Sequence, residues 1–317
     1  MTPCDTPTTR AIYATYERDP QRPRPHLGAS RIGIPCERAL WYEFRWCASP
    51  TFDGRMLRLF ESGHQGESRL LKNMRAAGID ARSMDPTTGK QYSFHDPSCS
   101  FFSGSLDAIA KGFPDDPSTE YVVEIKTSSK KQFDTLEIIG VARHKPEHYA
   151  QMQMYMHWSG IHQARYLVVC KDDERIYEEI VTYRQDVAET LTERAHRIIT
   201  ADEPPTKKNT NPDRPPCLWC EFRGICYGTQ CPEVNCRTCA NSTFEHGRHF
   251  VCESANSYIH DASGCSKHIF IPQLVPLEIV GADPDNGTIT YITDTCEEIT
   301  NGPGYVSSEK LREMVNK

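Results

Sequence analysis

The run YVVEIKTSS at 121–129 opens like an interior strand, with Tyr121, Val122 and Val123. It then carries Glu124 and Lys126 on either side of Ile125. Side chains alternate along a strand, so Glu124 and Lys126 share one face while Ile125 faces the other. A buried carboxylate and ammonium need partners, because an uncompensated charge in an apolar interior is strongly destabilising. One strand-like run earlier, SFFSGSLDAIA (100–110) places Asp107 in a similar apolar setting. If the two strands are neighbours, Asp107, Glu124 and Lys126 converge. Two carboxylates suit Mg2+ or Mn2+, hard cations that prefer oxygen ligands. An adjacent lysine can orient a water and stabilise charge developing on a phosphate. Alone, E-x-K is a common tripeptide and reads as a strand-edge salt bridge.

The surrounding pattern alternates helices and strands. Residues 1–30 are rich in Pro and Arg and read as largely irregular. Helical periodicity is expected over 36–46 and 55–78, the latter closed by Gly78. Strands are expected around 90–95, over 100–110 and over 120–127. KPEHYAQMQMYMHWSG (145–160) reads as a helix opened by Pro146 and closed by Gly160. Strands at 164–171 and 175–183 and a helix at 185–201 follow. The order predicts an α/β fold, a mixed sheet flanked by helices. A Pro-rich polar loop (201–216) precedes a change of composition, and nine of the 14 cysteines fall between 217 and 296. The expected division is a domain over 1–228 and a small cysteine-rich domain over 229–317.

Three further features accompany the E-x-K strand. Gly104 and Asp107 form G-x-x-D. Gln151 and Tyr155 lie four apart on the 145–160 helix and share a face. Gly63 and Glu67 form G-x-x-x-E on the first long helix, with His64 one turn before Glu67. In this order the residues resemble the PD-(D/E)XK nuclease superfamily, specifically its RecB-like branch with the Q-x-x-x-Y helix, over roughly 28–228. The resemblance implies a restriction-endonuclease-like core and a Mg2+- or Mn2+-dependent deoxyribonuclease, expected to be an exonuclease. It makes Asp107 and Glu124 metal ligands and Lys126 the catalytic lysine, and lets the Ile125 carbonyl complete the metal shell. Gln151 and Tyr155 would position DNA or the lysine. Glu67 is preferred over His64 as the ligand from the upstream helix. Lys130 and Lys131, just beyond the strand, are candidate phosphate contacts. Met152, Met154 and Met156 read as core filler, and Gln153 faces away from Tyr155.

Cys217, Cys220 and Cys226 form C-x2-C-x5-C. Three thiolates so close point to zinc or an iron–sulfur cluster and need a fourth ligand, with Cys231 the local candidate and Cys36 the distant one. The resemblance favours Cys36. RecB-like nucleases of the iron–sulfur type, including AddB-like and CRISPR-associated exonucleases, place one cysteine before the nuclease core and three after it with this spacing. There the cluster, commonly four-iron four-sulfur, staples the two ends of the domain. Cys47 is a nearby competitor that otherwise reads as a buried thiol.

Further on, Cys236 and Cys239 form C-x2-C, and Cys265 and His268 form C-x2-H, a pair of knuckles suited to tetrahedral zinc. Cys252 lies between them as an alternate ligand, and His246, His249 and His260 are additional nitrogen donors. The expected role is to stabilise a small fold that lacks a large core. Cys4, Cys99, Cys170 and Cys296 read as free thiols.

With 36 Lys and Arg against 43 Asp and Glu, the net charge is −7, so any polyanion site must come from a local patch. No apolar run is long enough to span a membrane, and the N-terminal stretch has no apolar leader segment, so a cytoplasmic setting, bacterial or phage-encoded, is expected. The expected substrate is DNA, in recombination, end-processing or phage DNA metabolism, with a recombination or replication protein as a candidate partner. The competing readings are a non-catalytic DNA- or protein-binding module on a nuclease fold, and an iron–sulfur redox enzyme. Against the latter, no G-x-G-x-x-G follows a strand.

Overall fold

The computed structural model describes residues 5–19, 21–245, 247–259 and 262–316. Cys4, His246 and His260 lie outside them. The first part of the chain runs α1 (Pro7–Tyr16), β1 (Leu27–Gly28), α2 (Glu37–Phe44), α3 (Gly54–Ala76), β2 (Asp80–Arg82), β3 (Ser93–His95), β4 (Phe102–Ser105), β5 (Ala108–Lys111) and β6 (Tyr121–Ser128). Then come α4 (Lys130–His144), α5 (Pro146–Ser159), β7 (Gln163–Cys170), β8 (Ile176–Thr182), α6 (Gln185–Thr200) and the short α7 (Arg223–Cys226). The remainder forms β9 (Ser242–Glu245), β10 (His249–Cys252), β11 (Ser257–Tyr258), β12 (Glu278–Asp283), β13 (Thr288–Ile292), β14 (Glu298–Asn301) and α8 (Ser308–Val315).

The principal sheet has the order β2-β5-β6-β7-β8. It is mixed: β6 and β7 are parallel and the other neighbours antiparallel. A parallel pair needs a long crossover, and α4 and α5 supply it. The alternation along β6 feeds two cores. Tyr121, Val123 and Ile125 pack with Leu70, Leu71 and Met74 of α3 on one face. Val122 on the other face joins Tyr166 and Val168 of β7, Met152, Met154 and Met156 of α5, and Leu191 and Ile198 of α6. Helices therefore cover both faces of the sheet. The methionines of α5 fill the core as expected. Gln153 is fully buried but satisfied, donating to the Thr182 carbonyl at 2.9 Å and accepting from the Arg184 N–H at 2.8 Å.

Beyond short strands such as β2 and the elements of the cysteine-rich region, which the sequence reading did not place, three differences matter for the site. Residues 7–16 are helical, because Thr6 and Thr9 form a reciprocal cap and Pro7 is preset for the first turn. α4 was not anticipated; Gly140 breaks it at φ 72°, and only Phe133, Leu136 and Val141 are buried, so no continuous apolar stripe marks it. The run 100–110 is two strands in two sheets, β4 in the order β1-β4-β3 and β5 in the principal sheet. Leu106 and Asp107 are the step between them.

The cysteine-rich region carries two further sheets, β11-β10-β9 and β12-β13-β14. Phe244 and Phe250 of the first stack edge-on or tilted with Phe44 and Phe101 at centroid separations of 5.4–6.5 Å, so both rings join the main core. The second sheet and α8 enclose a core of their own around Phe270, Tyr291 and Leu311. Among the described residues no helix is long and apolar enough to cross a membrane.

Candidate active site and cysteine centres

Antiparallel register sets the two carboxylates against each other. Ala108 pairs with Val123, so Asp107, one step out, stands opposite Glu124. Asp107 Oδ2 accepts the Ile125 N–H at 2.7 Å, which anchors the step between β4 and β5 to the strand bearing the charges. Lys126 Nζ donates to Glu124 Oε1 and, at 3.3 Å, to the Ile125 carbonyl. Glu124 is 0% exposed and its Oε2 is buried without a partner, whereas the Lys126 side chain is 31% exposed. One end of the constellation is thus closed and the other reaches solvent.

The electrostatics follow from this crowding. Burial and the Asp107 carboxylate raise the pKa of Glu124, against the pull of Lys126. Burial also raises Asp107, opposed by Lys126, the Ile125 N–H and His64. Burial works against the Lys126 ammonium, but Glu124 and Asp107 outweigh it and hold its pKa above the ordinary lysine value. Glu67 is pushed up to about 7 by burial and by Asp107. Glu67 is partly buried on α3 and His64 is exposed, and both act on this cluster. Gly66 lets α3 come so near, because a Cβ there would meet Thr127 Cγ2 at 2.7 Å; at Gly63 a Cβ would lie 3.9 Å from Thr127 Oγ1, in ordinary contact.

Gln151 and Tyr155 stand behind the step. Tyr155 donates to the Ser105 carbonyl at 2.6 Å and receives Gln151 Nε2 at 3.2 Å, leaving Gln151 Oε1 buried without a partner. A Cβ on Gly104 would lie 2.8 Å from Tyr155 Cε1 and 2.9 Å from Ala29 Cβ. Gly104→Ala is therefore expected to push Tyr155 off Ser105 and shift the backbone leading to Asp107. The expected cost is about 1–3 kcal/mol in denaturant unfolding, with a fall in any cleavage activity. Unchanged stability and activity would show that Tyr155 does not brace this step.

The two candidate phosphate contacts differ. Lys130 Nζ is drawn into ion pairs with Asp134 and Asp173, both at 3.4 Å, while Lys131 is exposed. Sequence reasoning passed over Tyr166 and His148. Tyr166 is the register partner of Glu124 on β7, and its hydroxyl lies 2.6 Å from His148 Nδ1. With Lys126, Gln132, His144 and Lys145 they line a cavity of about 190 Å3 beside the catalytic-lysine candidate. His148 sits three residues before Gln151, a helical-face signal visible in sequence; Tyr166 needed the strand register.

The first cysteine set gathers around the N-terminus of α2. Cys36 occupies the N-cap position of that helix without a side-chain capping bond. The Cys220 thiol is raised by burial and by Cys36 and Cys226, and Cys226 by burial and by Cys36 and Cys217, so all four thiols share one neighbourhood. Cys231 is elsewhere, buried in the core with Tyr291 and Leu311, its backbone held by Asn316. Cys47 is also buried in the main core, and burial raises its thiol against the pull of Arg45 and Arg38. Of the second set, Cys236, Cys239, Cys252, Cys265 and His268 line one small cavity. Among the described residues no three His, Cys, Asp or Glu side chains, as they stand, form a group able to hold a metal ion. Donor chemistry nonetheless fits: oxygen for a hard cation at Asp107 and Glu124, with an orphaned carboxylate oxygen, and sulfur for a softer metal at both cysteine sets.

No family model matches the chain, and no curated protein matches it. Solved structures similar to it include an alkaline exonuclease from Laribacter hongkongensis, at 15% identity over 60% of this chain and 91% of that one, with a TM-score of 0.41. The same enzyme in complex with dAMP gives the same identity and coverage and a TM-score of 0.40. A phage-related exonuclease from Haemophilus somnus is 13% identical over 58% of this chain and 94% of that one, with a TM-score of 0.36. The mixed α/β fold described above stands on its own sheet order and packing.

Proposed function

We propose that this chain is a divalent-metal-dependent nuclease that hydrolyses phosphodiester bonds in DNA. The observation that carries the proposal is Glu124: a fully buried carboxylate with one oxygen on Lys126, the other without a partner, and Asp107 opposite. A carboxylate left so in a purely structural strand would be a net cost. Asp107, Glu124, the Ile125 carbonyl and Glu67 are the residues that would hold Mg2+ or Mn2+. A bound ion of this class lowers the pKa of a coordinated water and neutralises charge on a phosphate.

The protein's own contributions can be derived from the geometry. Lys126 keeps its proton at Nζ and presents a cation at the partly exposed end of the cluster, where it can orient a water and stabilise a developing oxyanion. Ile125 N–H holds Asp107 in place. Tyr155 and Gln151 brace the backbone before Asp107, and the free Gln151 Oε1 is an acceptor for substrate or water. The exonuclease mode and a setting in recombination, end-processing or phage DNA metabolism rest on the resemblance. The same proposal takes Cys36, Cys217, Cys220 and Cys226 as ligands of an iron–sulfur cluster, probed below.

The test is digestion of end-labelled linear DNA by protein purified without oxygen. Cleavage is expected with Mn2+ and none with excess EDTA. Early release of labelled mononucleotide identifies an exonuclease and its polarity, whereas internal fragments identify an endonuclease. No digestion by folded, metal-supplemented protein would overturn the nuclease reading.

A further inference from the structure

We infer that the cavity between the two C-terminal knuckles is a structural zinc site held by Cys236, Cys239, Cys265 and the Nδ1 atom of His268, with Cys252 as a thiol beside the ion rather than one of its four ligands. Two tight turns prepare the site. Cys239 N–H donates to the Cys236 carbonyl at 3.4 Å, and His268 N–H donates to the Cys265 carbonyl at 3.0 Å. Each turn brings its first and last side chains to one side. All four residues, with Cys252, line one cavity of about 20 Å3, room for a single small occupant.

Histidine 268 points independently to a ligand. His268 is 3% exposed. Its Nε2 lies 3.1 Å from the Asn235 carbonyl, which can only accept, so the proton sits on Nε2. Thr238 Oγ1, 3.3 Å away, adds a second contact there. Nδ1 then carries a lone pair, is buried and has no hydrogen-bond partner. A backbone carbonyl fixing the outer ring nitrogen is how metal-bound histidines are commonly oriented. Ser242 Oγ, also lining the cavity, is buried without a partner and is placed to donate to a thiolate. As they stand, no three donors close on a point. Zinc binding therefore requires the donor side chains to close on the ion. Loading releases the three thiol protons. Sulfur and imidazole donors around four positions select zinc over hard cations.

Cys265 is preferred over Cys252 because it is bound into the same turn as His268, whereas Cys252 ends a strand and its Sγ lies 3.3 Å from Ser254 Oγ. The site also has a mechanical consequence. Arg237, between the first two ligands, is 5% exposed and passes into the N-terminal half. It donates to the Phe44 and Pro25 carbonyls at 2.8 and 2.7 Å, and its guanidinium lies 4.0 Å from the Trp46 ring centroid. Fixing the Cys236–Cys239 turn would fix this plug, and with it the tail, against the end of α2.

The experiment is elemental analysis of the full-length protein, each variant read as a difference from wild type because the first cysteine set is itself proposed to take metal. Cys265→Ser and His268→Ala are each expected to lose one zinc per chain, while Cys252→Ser and the donor-conserving His268→Cys keep it. Zinc retained in both of the first two variants, or lost in Cys252→Ser alone, would overturn the assignment. If His268→Ala does not fold, histidine-selective NMR of the wild type decides. One of the 12 histidines showing an Nε2-protonated, metal-bound Nδ1 pattern that disappears with a zinc chelator supports the site. No such histidine overturns it.

Discussion

Lys126→Ala is expected to cut end-labelled linear DNA about a thousandfold more slowly than the wild type, or about 4 kcal/mol of lost transition-state stabilisation, while remaining folded. The size follows from position. Lys126 is the cation that touches Glu124 and the Ile125 carbonyl and also reaches solvent at the open end of the cluster. Retained folding follows from the carboxylates. Burial and Asp107 already raise the Glu124 pKa, so loss of the ammonium is met by a proton on Glu124 rather than by a stranded buried charge. Lys126→Arg should recover little, because a planar, forked guanidinium does not reproduce the point contacts of a compact ammonium with Glu124 and the Ile125 carbonyl. A wild-type cleavage rate in folded Lys126→Ala would remove the lysine from the mechanism. Unaltered DNA binding with no cleavage by the wild type would leave a binding module on a nuclease-like frame.

Cys36→Ser is expected to abolish the visible absorbance of anaerobically purified protein and to lower its stability on the order of 5 kcal/mol, with much of the chain lost as aggregate. The magnitude is that of a cross-link closing a loop of roughly 180 residues between Cys36 and Cys217, the kind of clip that restricts an unfolded chain most. Such a loss is comparable to the whole stability of many domains. Cys231→Ser and Cys47→Ser serve as controls. Cys231 is packed with Tyr291 and Leu311, and Cys47 is enclosed in the main core, so both variants should keep the absorbance. Iron content and the visible spectrum measure the outcome. Absorbance retained in Cys36→Ser but lost in Cys231→Ser would exchange the fourth ligand.

The α/β alternation was legible in the chain because burial imposes period two on β6 and because α5 carries its own start and stop, Pro146 and Gly160. The latter adopts φ 71° and donates to the Met156 carbonyl. α4 was not legible, since a helix broken at Gly140 with three buried side chains leaves no apolar stripe. The run 100–110 looked like one strand because propensity does not record which sheet a strand joins. Its division at Asp107 depends on β4 pairing with β1 and β3 while β5 pairs with β2 and β6.

The candidate site divides in the same way. Local spacing alone put Glu124 and Lys126 on one face and Gln151 and Tyr155 on another, because strand and helix periods are properties of the backbone, and it paired Cys236 with Cys239 and Cys265 with His268. Register, approach and partner choice came only from tertiary structure. Asp107 stands opposite Glu124 because β5 and β6 pair as they do. Glu67 reaches the cluster because Gly66 lets α3 lie against Thr127. Cys36 rather than Cys231 meets the C-x2-C-x5-C run because α2 packs there and Cys231 is drawn into another core. Each of these contacts joins residues far apart in the chain, and only burial of the two faces of the sheet decides which distant segments meet.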